Sequence, residues 1–194
     1  LEEARADLFA LYYMMDQKMV DLKILPSLDA AKAEYAGYIR NGLITQLTRI
    51  EPDKNIEESH MRNRQLIAKW VLEKGAADKV VELVKENGKT YVKINDYAKL
   101  RGLFGKLLAE IQRIKSEGDY NAGKALVENY GVKVDPTLHK EVLERFKKLN
   151  IAPYSGFINP VFTLNGEKVE ISYPDNFTDQ MLYYAKNYSF LPTW

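Results

Sequence analysis

Three carboxylates, Glu2, Glu3 and Asp7, fall within the opening run Leu1-Glu2-Glu3-Ala4-Arg5-Ala6-Asp7. The pattern continues through Leu8-Phe9-Ala10-Leu11-Tyr12-Tyr13-Met14-Met15, whose apolar spacing predicts an amphipathic helix. On that helix Glu3 and Asp7, four residues apart, share a face, and like charges at this spacing weaken a helix slightly. Arg5 points roughly to the other side and cannot bridge them. Such a pair suits a cation supplied from elsewhere, a metal ion included. It also suits the positive end of the helix dipole, the more ordinary explanation for acidic residues in a first turn. The residues alone leave both readings open.

Only two histidines are present. His60 precedes Arg64 by one helical turn and shares a face with Ile56 and Ile67. Imidazole and guanidinium both donate hydrogen bonds, so the pair could hold a carboxylate or a peptide carbonyl, or could bind acids across a bundle for structure. His139 lies between Leu138 and Lys140-Glu141 and is expected on the solvent side of its helix. Arg145, Lys147 and Lys148 form a basic cluster of the kind that complements a helix C-terminus. A Gly-rich phosphate loop, a serine nucleophile elbow and a His-Glu-x-x-His zinc helix are all missing.

The elements that must position these groups read mostly as helices. The first carries Leu1, Leu8, Leu11, Met15 and Leu22 as its stripe and ends near Leu25-Pro26. Ser27 or Asp29 caps a second, with Tyr35, Tyr38, Ile39, Gly42 and Leu47 near one face. Gly42 inside that helix implies close contact with another helix or a bound chain, since glycine there costs about 1 kcal/mol relative to alanine. Asn55 is the expected cap of a third helix, with Glu57 and Glu58 in its first turn and Gly75 as its stop. Two β-prone runs flanking Asn87-Gly88 predict a hairpin over about 80–94. Asp96 caps a fourth helix carrying a wide stripe from Leu100 to Ile114, closed by Gly118. A shorter helix covers Asn121 to Tyr130, and Asp135-Pro136 opens a sixth that buries Leu138, Val142, Phe146 and Leu149.

Beyond Asn150 the character changes. Pro153, Gly156, Pro160 and Pro174 punctuate the chain, and a second hairpin is expected over about 161–171 around Asn165-Gly166. A short aromatic helix near Thr178 to Tyr188 leads to Leu191-Pro192-Thr193-Trp194. The expected fold is therefore mainly α: a helical bundle over 1–149 with one inserted β-hairpin, and a small α/β C-terminal appendage over 150–194.

Composition narrows the function. With 28 basic and 27 acidic residues among 194, the net charge of +1 gives no field toward nucleic acid. No apolar run approaches the roughly 20 residues of a membrane span. Absence of cysteine removes disulfides and thiolate metal sites, and a cytoplasmic location is expected. Leu1 already lies inside a helical pattern, so a piece of a longer protein is expected.

Glu2-Glu3-Ala4-Arg5-Ala6-Asp7 resembles the E-E-x-R-A-E/D signature of the dipeptidyl peptidase III family of zinc exopeptidases. The similarity continues through Ser59-His60-Met61-Arg62-Asn63-Arg64, which looks like that family's H-M-x-x-R segment. It extends to Lys115-Ser116-Glu117-Gly118-Asp119 and Gly123-Lys124-Ala125-Leu126, and as far as about Pro153, with an ending most like the bacterial branch.

The resemblance implies a zinc-dependent enzyme that removes dipeptides from the N-terminus of oligopeptides. Glu3 would be a zinc ligand, and Glu2 and Asp7 would orient the metal-bound histidines. His60 and Arg64 would hold the substrate peptide, and Lys147 and Lys148 would line the same cleft. The family's other signature, H-E-x-x-G-H or a one-residue-shorter form, should lie upstream of Leu1. It supplies two zinc histidines and the glutamate base. No catalytic residue is then expected within these 194 residues, which would need the N-terminal part of the same protein as partner and be inactive alone. The rival is a non-catalytic helical interaction module on the same scaffold.

Overall fold

The computed structural model of the chain describes residues 1–150, 160–173 and 176–189. Pro153, Gly156, Pro174 and Leu191-Pro192-Thr193-Trp194 lie outside them. The architecture is mainly α-helical with two small antiparallel hairpins, as the patterning predicts. The chain divides into two compact units, Leu1–Leu149 and Asn150–Trp194.

In the first unit, α1 (Glu2–Met14), α3 (Leu28–Leu43), α4 (Ser59–Lys74) and α5 (Tyr97–Glu117) surround the main core. Leu8, Tyr35, Ile39, Ile67, Phe104, Leu107 and Ile111 are fully buried there. Tyr35 stands edge-on to Phe104 with ring centroids 5.0 Å apart, and its hydroxyl donates to the carbonyl of Leu11. At Gly42 the helices α3 and α4 approach so closely that a Cβ would lie 2.5 Å from the Arg64 carbonyl oxygen. The glycine therefore serves helix packing within the chain.

Local chemistry sets most element ends. Ser27 Oγ accepts from the Ala30 N–H to cap α3, Asp96 from the Lys99 N–H to cap α5, and Asp135 from the Leu138 N–H to cap α7 (Pro136–Lys147). Gly118 closes α5 at φ 67°, a left-handed conformation that favours glycine. Strands β1 (Val81–Glu86) and β2 (Lys89–Ile94) pair in register Glu86 to Lys89, with Asn87 and Gly88 at φ 50° and 74° between them. Two consecutive positive φ values are the signature of the type I′ turn.

Five boundaries and burial patterns differ from expectation. The first helix stops at Met14, because Asp16 accepts from the Lys18 N–H and starts the separate short helix α2 (Gln17–Asp21). Leu22 thus leaves the stripe and is exposed. Glu58, not Asn55, caps α4, accepting from the N–H groups of His60 and Met61 at 2.9 and 2.8 Å. The segment after α6 (Tyr120–Leu126) does not remain α-helical to Tyr130 but widens into a π turn over Val127–Val132 that packs on α4. On α7, Val142 is buried while Leu149 beyond it is exposed. His139 occupies the interior, only 4% exposed, with Nε2 3.1 Å from the carbonyl oxygens of Leu47 and Ile50. It joins α7 to the 3₁₀ turn Thr45–Arg49, over a small second core of Leu47, Ile50, Ile56, Met61 and Val142.

In the second unit, β3 (Val161–Asn165) pairs with β4 (Lys168–Ser172), and α8 spans Phe177–Tyr188 with Asn176 as its cap. Asn165 belongs to the strand, opposite Lys168, so the turn is Gly166-Glu167, one residue later than the expected Asn165-Gly166. Tyr184 donates to the Pro160 carbonyl at 3.0 Å and packs with Tyr183 and Tyr188.

Candidate functional site

The opening turn of α1 and the opening turn of α4 meet. Glu3 Oε2 lies 3.3 Å from His60 Nδ1, across 57 residues of sequence, with both side chains about half exposed at 49% and 57%. His60 owes its place to Glu58, whose carboxylate fixes the first turn of α4. Burial works against the charge on Glu58, but the His60 and Met61 N–H groups, with His60 and Arg64 nearby, hold its carboxyl below the usual range. Arg64, one turn beyond His60, is partly buried.

The three acidic residues of the opening run have different surroundings. Glu2 is bound by two cations: Arg5 Nε donates to it at 3.0 Å, and Lys115 reaches it from α5. Among the described residues Asp7 meets no cation. Its Oδ2 accepts from the Tyr38 hydroxyl at 2.8 Å and from Asn63 Nδ2 at 2.7 Å, which ties α1 to α3 and α4. Burial, then the Asp7 charge, pushes the Tyr38 hydroxyl far above its ordinary pKa, so it remains a donor throughout the working range. Glu3 keeps an accessible carboxylate whose neighbour is a histidine.

Lys147 ends α7 and Lys148 is its C-cap residue, both exposed. Among the described residues no contact joins either lysine to the Glu3 and His60 pair. Arg145, their neighbour, is engaged elsewhere: it donates to the Thr90 carbonyl at 2.7 Å and to Glu141 at 3.1 Å, and its guanidinium lies over the Tyr91 ring. That set fastens α7 to the first hairpin.

Catalytic zinc takes three protein ligands and leaves one position open. Among the described residues no three His, Cys, Asp or Glu side chains gather in a metal-holding group. The donors here fit one share of such a site. Glu3 offers one accessible carboxylate, and the fixed Asp7 carboxylate lies one turn along the same helix face.

Sequence reasoning missed Tyr38 and Asn63 as residues of this site, and Lys115 as the partner of Glu2. Asn63 carried one signal, since asparagine is a poor helix-interior residue and lies three residues after His60. Tyr38 looked like another core aromatic.

The family model described as peptidase family M49 matches residues 1–186. Dipeptidyl peptidase 3 of Rattus norvegicus and dipeptidyl peptidase 3 of Mus musculus are each 25% identical to this chain over 185 residues. The match covers 88% of this chain and 24% of each relative, so the chain spans about a quarter of the length of the curated relatives it matches.

Proposed function

From the premise that the chain belongs to peptidase family M49, we propose that it is the C-terminal part of a zinc-dependent dipeptidyl peptidase that removes dipeptides from the N-terminus of oligopeptides. The observation that carries this reading is the meeting of Glu3 and His60, 3.3 Å apart, on two helices whose segments each resemble a signature of that enzyme family.

In this reading Glu3 is one zinc ligand, with Glu2 and Asp7 as the carboxylates that orient its partners. Zinc, when bound, polarises the scissile carbonyl and lowers the pKa of water. His60 stands beside Glu3 and presents a ring nitrogen to the same exposed space, and Arg64 follows on that face of α4. Together they offer donors for a peptide carbonyl or for the charge that grows on it during hydrolysis. Lys147 and Lys148 supply positive charge at the exposed end of α7, suited to a peptide carboxylate. The histidine ligands and the general base belong to the upstream part of the same protein, so the 194-residue chain is inactive alone.

The test is dipeptide release from a chromogenic substrate by the intact parent chain, with zinc content measured in parallel. Glu3→Ala removes tight zinc binding. His60→Ala and Arg64→Ala keep the metal and lower kcat by about 10²-fold or more, as loss of a transition-state donor does. Unchanged zinc stoichiometry in Glu3→Ala refutes the ligand assignment, and dipeptide release by the isolated chain with added zinc refutes its inactivity. An intact parent that neither binds zinc nor releases dipeptides would be the helical interaction module instead.

A further inference from the structure

Asn63 is a buried polar residue in the interior of α4, 5% exposed, and among the described residues its Oδ1 has no hydrogen-bond partner. An orphaned buried acceptor destabilises a fold, and a residue kept only for packing would be apolar. The amide cannot relieve this by turning over, because its Nδ2 lies 2.7 Å from Asp7 Oδ2 and a flip would set oxygen against carboxylate oxygen. The orphan is thus tied to the bond that Asn63 gives Asp7.

Tyr38 makes the second such bond from α3, to the same oxygen, at 2.8 Å. Both donors converge on Oδ2, and among the described residues no donor meets Oδ1 of Asp7. Asp7 is partly exposed, and Oδ1 is the oxygen that carries no hydrogen bond among the described residues. Hydrogen bonds to an ionised acceptor are the strong, directional kind, and two from different helices define the plane of the carboxylate.

We propose that Tyr38 and Asn63 are positioning residues of the metal centre, which clamp Oδ2 of Asp7 and leave Oδ1 to accept a hydrogen bond from a metal-ligating imidazole. The proposal rests on the reading of Glu3 as a zinc ligand. The clamp also fixes spacing. Asp7 lies one turn after Glu3 on α1 and Asn63 nearly one turn after His60 on α4, so this bond holds together the two helices that bring Glu3 and His60 into contact.

The experiment uses the intact parent chain and its variants Tyr38→Phe, Asn63→Leu and Glu3→Ala. Zinc affinity is read by competition with a chelating indicator, and the melting temperature of the metal-free form is recorded separately. Tyr38→Phe and Asn63→Leu are expected to weaken zinc binding by about 10- to 100-fold, the usual effect of losing a partner that orients a ligand. The metal-free melting temperature of Asn63→Leu is expected to stay close to that of the unaltered chain, because loss of the orphaned acceptor offsets loss of the bond to Asp7. Zinc affinity within twofold of the original in both variants, while Glu3→Ala loses the metal, overturns the proposal and leaves the ligand assignment standing. Retention of zinc by Glu3→Ala removes the premise and the proposal with it. Weakened zinc binding that only parallels a fall in metal-free melting temperature shows a structural role and also overturns it. Should Asn63→Leu fail to fold, Tyr38→Phe decides by the same measurements.

Discussion

Gly37 and Gly42 lie in the same helix, α3, and the structure predicts opposite results for the same substitution at each. A Cβ at Gly37 would meet nothing within 4 Å. Gly37→Ala therefore gains the propensity difference alone, about 1 kcal/mol, or roughly 2–4 °C in Tm for a chain of this size. At Gly42 the added carbon would stand 2.5 Å from the Arg64 carbonyl oxygen, 2.8 Å from Ala68 Cβ and 3.0 Å from the Arg64 carbonyl carbon. Two of those three atoms are backbone and cannot rotate away. Comfortable separation is roughly 3.5 Å, so α3 and α4 would have to part by about 1 Å. Parting them also strains Gln46, whose buried amide donates to both the Gly42 and Met61 carbonyls at 3.2 and 3.0 Å. Overpacking typically costs about 1–3 kcal/mol and occasionally more. With rigid atoms on one side the upper part of that range applies, which exceeds the propensity gain. Gly42→Ala should lose about 1–2 kcal/mol net, a fall of roughly 2–8 °C. Thermal and urea unfolding of both variants, followed by circular dichroism, is the assay. A Gly42→Ala protein as stable as Gly37→Ala would refute the close approach of α3 and α4.

Glu141 accepts from the Thr90 N–H at 2.6 Å, the Thr90 hydroxyl at 2.7 Å and Arg145 at 3.1 Å, so Glu141→Gln should cost about 1.5–3 kcal/mol in urea unfolding at neutral pH. The Thr90 side chain, its N–H and Arg145 hold the Glu141 carboxyl below its ordinary range. Its contribution is therefore complete above the unfolded value near about 4.3 and lost as pH falls through the folded value. Melting curves from pH 7 down to pH 3 should show the original chain losing more stability than Glu141→Gln, and equal losses would count against the triad. His139→Leu leaves the Ile50 carbonyl without the ring nitrogen that meets it now, at a cost of about 1–3 kcal/mol. A neutral result in the same unfolding assay would return His139 to the surface.

The sequence by itself determined whatever a few neighbouring residues can settle. Ser27, Asp96 and Asp135 cap their helices because a side-chain oxygen needs only the N–H two or three residues on. Asn87-Gly88 turns the first hairpin because both residues tolerate positive φ, and Gly118 ends α5 for the same reason. The stripe from Leu100 to Ile114 declared its buried face by period alone. The match to peptidase family M49 was legible in short signatures on two helices, as residue types in order.

Partners distant in sequence were settled only by the fold. His139 looked like a surface residue because its neighbours are charged, and the carbonyls that draw it inward come from a turn about ninety residues earlier. Leu22 and Leu149 fit helical periods yet meet no core, since the period fixes a face and not what covers it. Glu2, Glu3 and Asp7 were equivalent acids in the sequence. Tertiary structure gave Glu2 to Lys115, set Glu3 beside His60 and fixed Asp7 between Tyr38 and Asn63, because Glu2 faces α5 while Glu3 and Asp7 share the side turned to α4, where Asp7 also meets α3.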